Sequence, residues 1–310
     1  MTVDRNGRWT IKVSLTAKCN LHCFYCNDHE VNPRKTGEDM GDDELRDLLQ
    51  AAYDNGIEKV QWTGGECTIT NLPIIANIAK GIGFTEQALT SNGVLLDSML
   101  DELVAAGLNR ANISLDSLSR NRFQTITGMD RLGQVLNSIE HAAMKLEMTK
   151  INVAVINDNI DEIDALLEYA GRLGPKVILK LHELWRFKPE AAYQAQHVSV
   201  PEIMRRLSRT RNLAVHTGIR GNNPTAKYYS IAGTGQIVGV SGIPTHFKCG
   251  GPSCSKLRVY ANGRTCDGKY LAGVPIELKR AMIAELIEKR STSSIERDSG
   301  HVEPLLRVIH

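Results

Sequence analysis

Three cysteines set close together, Cys19, Cys23 and Cys26, are the residues of this sequence best placed to do chemistry. Their spacing, Cys-x3-Cys-x2-Cys, offers three thiolates to one inorganic centre, with no fourth cysteine nearby. Three thiolates can ligate three irons of a [4Fe–4S] cubane and leave the fourth iron open to an outside ligand. Zinc is the other reading of clustered thiols, although zinc sites usually come as paired Cys-x2-Cys hooks. Further along, Gly64-Gly65-Glu66 combines two residues that let the backbone approach a ligand with a carboxylate that can accept hydrogen bonds from an ammonium group. Cys67 follows at once, and Cys249, Cys254 and Cys266 form a looser group near the end.

The elements that must position these residues are legible as alternating strand and helix signals. Short β-branched runs at Ile11–Thr16, Lys59–Thr63, Glu86–Ser91, Arg110–Leu115, Ile151–Ile156 and Val177–Leu181 predict strands, separated by helix-period segments. The first helix has Asp42 or Asp43 as a cap, an apolar face of Leu45, Leu48, Leu49, Ala52 and Tyr53, and Gly56 as its stop. Six such units predict an α/β fold, an incomplete (β/α)6 TIM-type barrel over residues 1–217. The three cysteines then fall just after the first strand, at the C-terminal mouth where barrel enzymes place their chemistry. Residues 218–310 read as a small cysteine-containing C-terminal domain, with Asn262-Gly263 turning a hairpin and a polar helix near 275–290.

Bulk properties narrow the function classes. The 310 residues include 37 Lys plus Arg against 35 Asp plus Glu, a net charge of +2 that gives no nucleic-acid footprint. No apolar run is long enough to span a membrane, and the charged start lacks a signal-peptide core, so a cytoplasmic protein is expected. Seven cysteines in that compartment point to metal ligation or reactive thiols rather than disulfides.

With Tyr25 before the last cysteine and Gly-Gly-Glu after the next strand, the sequence resembles the radical S-adenosylmethionine (SAM) superfamily. Thr90-Ser91-Asn92-Gly93, Asn112-Ile113-Ser114-Leu115-Asp116, Phe123–Gly128 and Lys150–Val153 resemble its GTP 3′,8-cyclase-like branch. The resemblance implies that Cys19, Cys23 and Cys26 hold the cluster while its open iron takes the amino and carboxylate groups of SAM. It also implies that Gly64, Gly65 and Glu66 bind SAM's ammonium, that Ser91, Asn92, Ser114 and Asn152 line the cofactor, and that Tyr25 lies near the adenine. A one-electron donor such as flavodoxin or ferredoxin is implied as a partner, and SAM as a co-substrate that yields a 5′-deoxyadenosyl radical.

The spacing Cys249-x4-Cys254-x11-Cys266 resembles the branch's second-cluster region but is wider, then narrower, than the cyclase pattern, and the sequence ends without the cyclases' Gly-Gly tail. Cys254 and Cys266 are expected to ligate a second [4Fe–4S] cluster, leaving Cys249 as an unligated thiol and hydrogen-atom donor. Cys67 is the rival donor. That combination resembles the radical SAM epimerases of aminoglycoside biosynthesis, of the kind that turn neomycin C into neomycin B. The expectation is therefore an epimerase inverting a carbon of a cationic amino sugar, held by Asp28, Glu30, Asp116 and Glu183. A GTP 3′,8-cyclase-like enzyme, or a sugar-nucleotide cyclase or dehydrogenase, is the alternative.

Overall fold

Apolar residues at every second position make the strands of this protein, and apolar residues at every third or fourth make the helices that cover them. The computed structural model describes residues 9–26, 38–186, 189–217, 226–242, 254–266 and 268–298. The elements are β1 (Thr10–Ser14), α1 (Asp42–Asp54), β2 (Lys59–Thr63), α2 (Leu72–Ile82), β3 (Glu86–Ser91), α3 (Leu96–Ala105) and β4 (Leu108–Ser114). They continue as α4 (Arg120–Thr127), α5 (Leu132–Lys145), β5 (Met148–Val155), α6 (Ile163–Arg172), β6 (Val177–Glu183), α7 (Glu190–Gln196) and α8 (Val200–Thr210). The chain then forms β7 (Leu213–Val215), β8 (Ala226–Ile231), β9 (Ile237–Ser241), β10 (Lys256–Val259) and α9 (Ile276–Asp298).

The strands form one ten-stranded sheet in the order β10-β1-β2-β3-β4-β5-β6-β9-β8-β7. The expected parallel run β1 to β6 is present, and β9 pairs parallel to β6 at its far side. Strand β10 pairs parallel to β1, placing Lys256 opposite Thr10 and Arg258 opposite Lys12. At the outer edge β8 is reversed, pairing antiparallel with both β9 and β7. Residues assigned from sequence to a separate C-terminal region thus supply three strands of the barrel's own sheet, and the 217/218 boundary falls between neighbouring strands.

Helices cover the apolar face. Ile11, Val13, Val60, Trp62, Leu89, Ile113, Ile151, Val153, Leu179 and Leu181 are buried in one continuous core, each worth about 1.5–3 kcal/mol over exposure. The alternate positions on the other face are polar: Lys12, Gln61, Asn112, Lys150 and Lys180 are each only partly buried. Helix α1 begins after Gly41, with Asp42, Asp43 and Glu44 in its first turn rather than as side-chain caps, where they still favour the positive end of the helix dipole. The hairpin after β10 turns at Gly263, whose φ of +77° suits glycine and where a Cβ would sit 2.4 Å from that of Ala272. Helix α9 then returns to α1, burying Ile283, Leu286 and Ile287 and pairing Arg280 with Asp54 at 2.5 Å.

Candidate active site

Cys19, Cys23 and Cys26 lie in the segment that leaves β1 at the barrel mouth, as expected. Neighbouring backbone stitches this loop on two sides. Gly65 and Glu66 donate from their N–H groups to the Thr16 and Lys18 carbonyls, both at 2.8 Å. His22 and Phe24 donate to the carbonyls of Thr127 and Ile126 at the end of α4, at 2.9 and 3.1 Å. Asp39 accepts from the Thr16 hydroxyl at 2.6 Å.

This contact gives the two glycines a reason that sequence alone did not supply. A Cβ at Gly65 would lie 2.1 Å from the Lys18 carbonyl oxygen, and one at Gly64, whose φ is +152°, would lie 2.5 Å from that of Thr16. The close approach they permit is therefore to the cysteine loop itself.

The donor set suits a cluster. Burial, then Asp116, Cys26 and Cys19, hold the Cys23 thiol well above the usual thiol range, so thiolates form there together only around a positive centre. The Cys19 sulfur accepts from Leu21 N–H at 3.4 Å and from the Asn92 amide at 3.7 Å. Among the described residues, no three His, Cys, Asp or Glu side chains close on a single point that one ion would fill. A cubane instead presents a separate iron to each thiolate.

The remaining motif residues gather at the same mouth. Glu66 is 2% exposed, and its Oε1 accepts from Thr68 N–H at 3.0 Å and from the Thr68 and Ser91 hydroxyls at 2.8 Å each. Its Oε2 accepts from Asn92 N–H at 2.6 Å. Ser114 and Asn152 stand side by side on β4 and β5, and Asn152 Oδ1 lies 3.3 Å from His182 Nε2. The Tyr25 hydroxyl donates to Asp116, which also accepts from Ala154 N–H at 2.8 Å. Burial nevertheless keeps the Asp116 carboxyl up at about 6, against the pull of those two donors.

Of the residues expected to hold a cationic sugar, the two described ones have protein partners. Asp116 serves Tyr25 and the β5 backbone, and Glu183 lies 2.9 Å from His197, while Asp28 and Glu30 lie outside the described residues. So does Cys249. Cys254 is buried and donates to the Lys256 carbonyl at 3.6 Å, and Cys266 is half-buried beyond the hairpin turn. Cys67 is fully buried, its thiol pushed up by burial and then by Glu66, and it donates to the Thr90 carbonyl at 3.5 Å.

A feature missed from sequence fills the inner face of the barrel. Lys12, Lys256 and Arg258 share that face of β1 and β10 by register, and Lys150 and Lys180 join them from β5 and β6. Burial, then Arg110 and Lys256, bring Lys150 down to about 8; burial, then Lys150 and Lys256, do the same to Lys180. Burial and then Lys180, Lys12 and Lys150 drive His182 to about 3, so it stays neutral. Arg110 is answered by Glu86, which Lys59 also approaches at 3.6 Å. A single lysine among apolar neighbours in each of two assigned strands, Lys12 and Lys180, with Lys150 just before a third, was the available signal.

Comparison with known proteins agrees with this geometry. Residues 13–170 match the family described as the Radical SAM superfamily. A GTP 3′,8-cyclase of Heliobacterium modesticaldum is 34% identical over 262 residues, covering 82% of this chain and 78% of that protein. A probable GTP 3′,8-cyclase of Archaeoglobus fulgidus is 32% identical over 313 residues, covering 94% of this chain and 98% of that one. In fold, the chain is similar to Streptococcus suis SuiB bound to S-adenosylmethionine, with a TM-score of 0.57 at 12% identity over 86% of this chain and 59% of SuiB. No helix among the described residues is long and apolar enough to cross a membrane.

These relatives overturn the expectation of an aminoglycoside epimerase, since they are named GTP 3′,8-cyclases and the similarity to the second covers 94% of this chain. The physical reason lies in the barrel's charge: a face of lysines repels a polycationic sugar, and two of the carboxylates meant to hold it have protein partners. With the three-cysteine loop, the Gly-Gly-Glu turn packed on it and the family match over half its length, the chain belongs to the radical SAM superfamily, whose enzymes use a [4Fe–4S] cluster and S-adenosylmethionine.

Proposed function

We propose that this chain is a radical SAM cyclase of a purine nucleoside triphosphate, of the GTP 3′,8-cyclase type. The observation that carries the reading is the cationic inner face of the barrel. Lys150 and Lys180 are held charged at neutral pH with other cations as their neighbours, an arrangement relieved by a polyanion. A triphosphate supplies that charge; an amino sugar adds to the repulsion.

Cys19, Cys23 and Cys26 would hold the cluster, and Gly64, Gly65, Ser114 and Asn152 would border SAM. When bound, the reduced cluster and SAM supply a 5′-deoxyadenosyl radical able to take a hydrogen atom from a ribose carbon. The protein's own work is orientation. Lys12, Lys150, Lys180, Lys256 and Arg258 would fix the phosphates low in the barrel, leaving the ribose and base at the mouth. Cys254 and Cys266 would hold a second cluster near the base. A one-electron reductant completes the system.

Anaerobic incubation with SAM, a reductant and GTP tests this reading. GTP should accelerate 5′-deoxyadenosine formation and be consumed in step with it, and neomycin should do neither. Failure of the reconstituted protein to bind GTP, or SAM cleavage indifferent to it, would remove the nucleotide reading.

A further inference from the structure

Glu66 has five protein donors on its two oxygens, four of them on Oε1, the weakest being the Cys67 thiol at 3.8 Å. A carboxylate offers about four lone-pair sites, so most of this one's capacity is committed inside the protein. The one donor on Oε2, Asn92 N–H at 2.6 Å, is the closest of the five. It fixes the main chain of the residue whose side chain reaches the cysteine loop.

The orientation of the Asn92 amide follows from its neighbours. Its Oδ1 accepts from Val94 N–H at 3.0 Å, which no amide nitrogen can do. Nδ2 must therefore face the loop, where it donates to Asn20 Oδ1 at 2.7 Å and to the Cys19 sulfur at 3.7 Å. Leu21 N–H gives the same sulfur its second donor, at 3.4 Å.

We propose that Glu66 and Asn92 form a positioning relay for the cluster, in which Glu66 fixes Asn92 and the Asn92 amide hydrogen-bonds the Cys19 sulfur, setting how readily the cluster accepts an electron. Hydrogen bonds to cluster sulfurs draw electron density from the irons and favour the reduced state. Glu66 is on this account a residue that acts through another. The proposal rests on the cluster and is independent of the substrate, so it survives or fails apart from the nucleotide reading.

The test measures the reduction potential of the reconstituted full-length protein without SAM, by electron paramagnetic resonance. The signal to follow is the one that changes when SAM is added afterwards. Asn92→Leu removes the donor and should lower the equilibrium constant for one-electron reduction about tenfold, or about 59 mV. Glu66→Gln should shift it in the same direction by a smaller factor, because an amide nitrogen turned toward Asn92 N–H cannot accept from it. A Glu66 that serves SAM alone predicts an unshifted potential in the SAM-free Gln variant. Should the leucine variant load no cluster, Asn92→Asp decides, since it keeps the acceptor for Val94 while losing the donor to sulfur. Unchanged potentials at full iron and sulfide content would overturn the relay.

Discussion

The mouth and the inner face of this barrel are built on opposite principles. At the mouth, Glu66, Ser91, Asn92, Asp116 and the cysteine loop are tied to one another by hydrogen bonds, so the site is organised before any cofactor arrives. On the inner face, lysines press on one another through partly desolvated surroundings. The difference separates a resident cofactor from a visiting substrate. A permanent guest rewards rigidity in its host, whereas a transient one can be drawn in by repulsion that it alone relieves.

The contrast can be broken most severely at Gly65. Gly65→Ala drives a methyl group against the Lys18 carbonyl, so the loop must move. Iron content after reconstitution should fall to a small fraction of wild type while circular dichroism still reports a folded barrel. Normal loading would show that the mouth is more pliant than its hydrogen bonds imply.

A milder change sharpens the other side. Lys180→Met removes one charge from the inner face, and a hydrogen bond to a charged group is worth about 1.5–3 kcal/mol. Nucleotide affinity, measured by calorimetry, should drop about tenfold or more. The ligand-free protein should melt at a higher temperature, because a mutual repulsion has gone. If both quantities stay put, the lysines are not a phosphate site.

The smallest effect is in pH. Lys150 and Lys180 sit at about 8 when folded against the ordinary 10.5, so between those values the unfolded chain holds more protons and stability rises with pH. Below about 8 both states are charged and the penalty is complete. Nucleotide affinity needs the charged form and should weaken across the same window. Thermal melts with and without GTP should therefore converge as pH climbs, and parallel curves would contradict the assignment.

How much was legible depended on whether the signal was local. Lys59–Thr63 and Glu86–Ser91 match β2 and β3 at both ends, because β-branched runs bounded by turn residues are short-range signals. The cysteine loop and Gly-Gly-Glu were readable for the same reason. Strand β10 was seen as one arm of a hairpin, but its parallel pairing with β1 joins residues far apart in sequence, which no local pattern encodes. The inner lysines were hidden differently. In this barrel the helices cover the apolar face of each strand, so the polar positions that look solvent-facing turn inward. The carboxylates chosen for a cationic substrate were misjudged because their hydrogen-bond partners, Tyr25 and His197, are tertiary neighbours.

The seam between the first and last strands has a bearing on manufacture. The ribosome releases Thr10–Ser14 long before Lys256–Val259, so the strand that launches the cysteine loop lacks one flank until β10 has emerged. Iron delivery to a framed loop therefore belongs after β10 has emerged, and a nascent chain stalled before residue 256 would offer maturation machinery three thiols without the scaffold that spaces them.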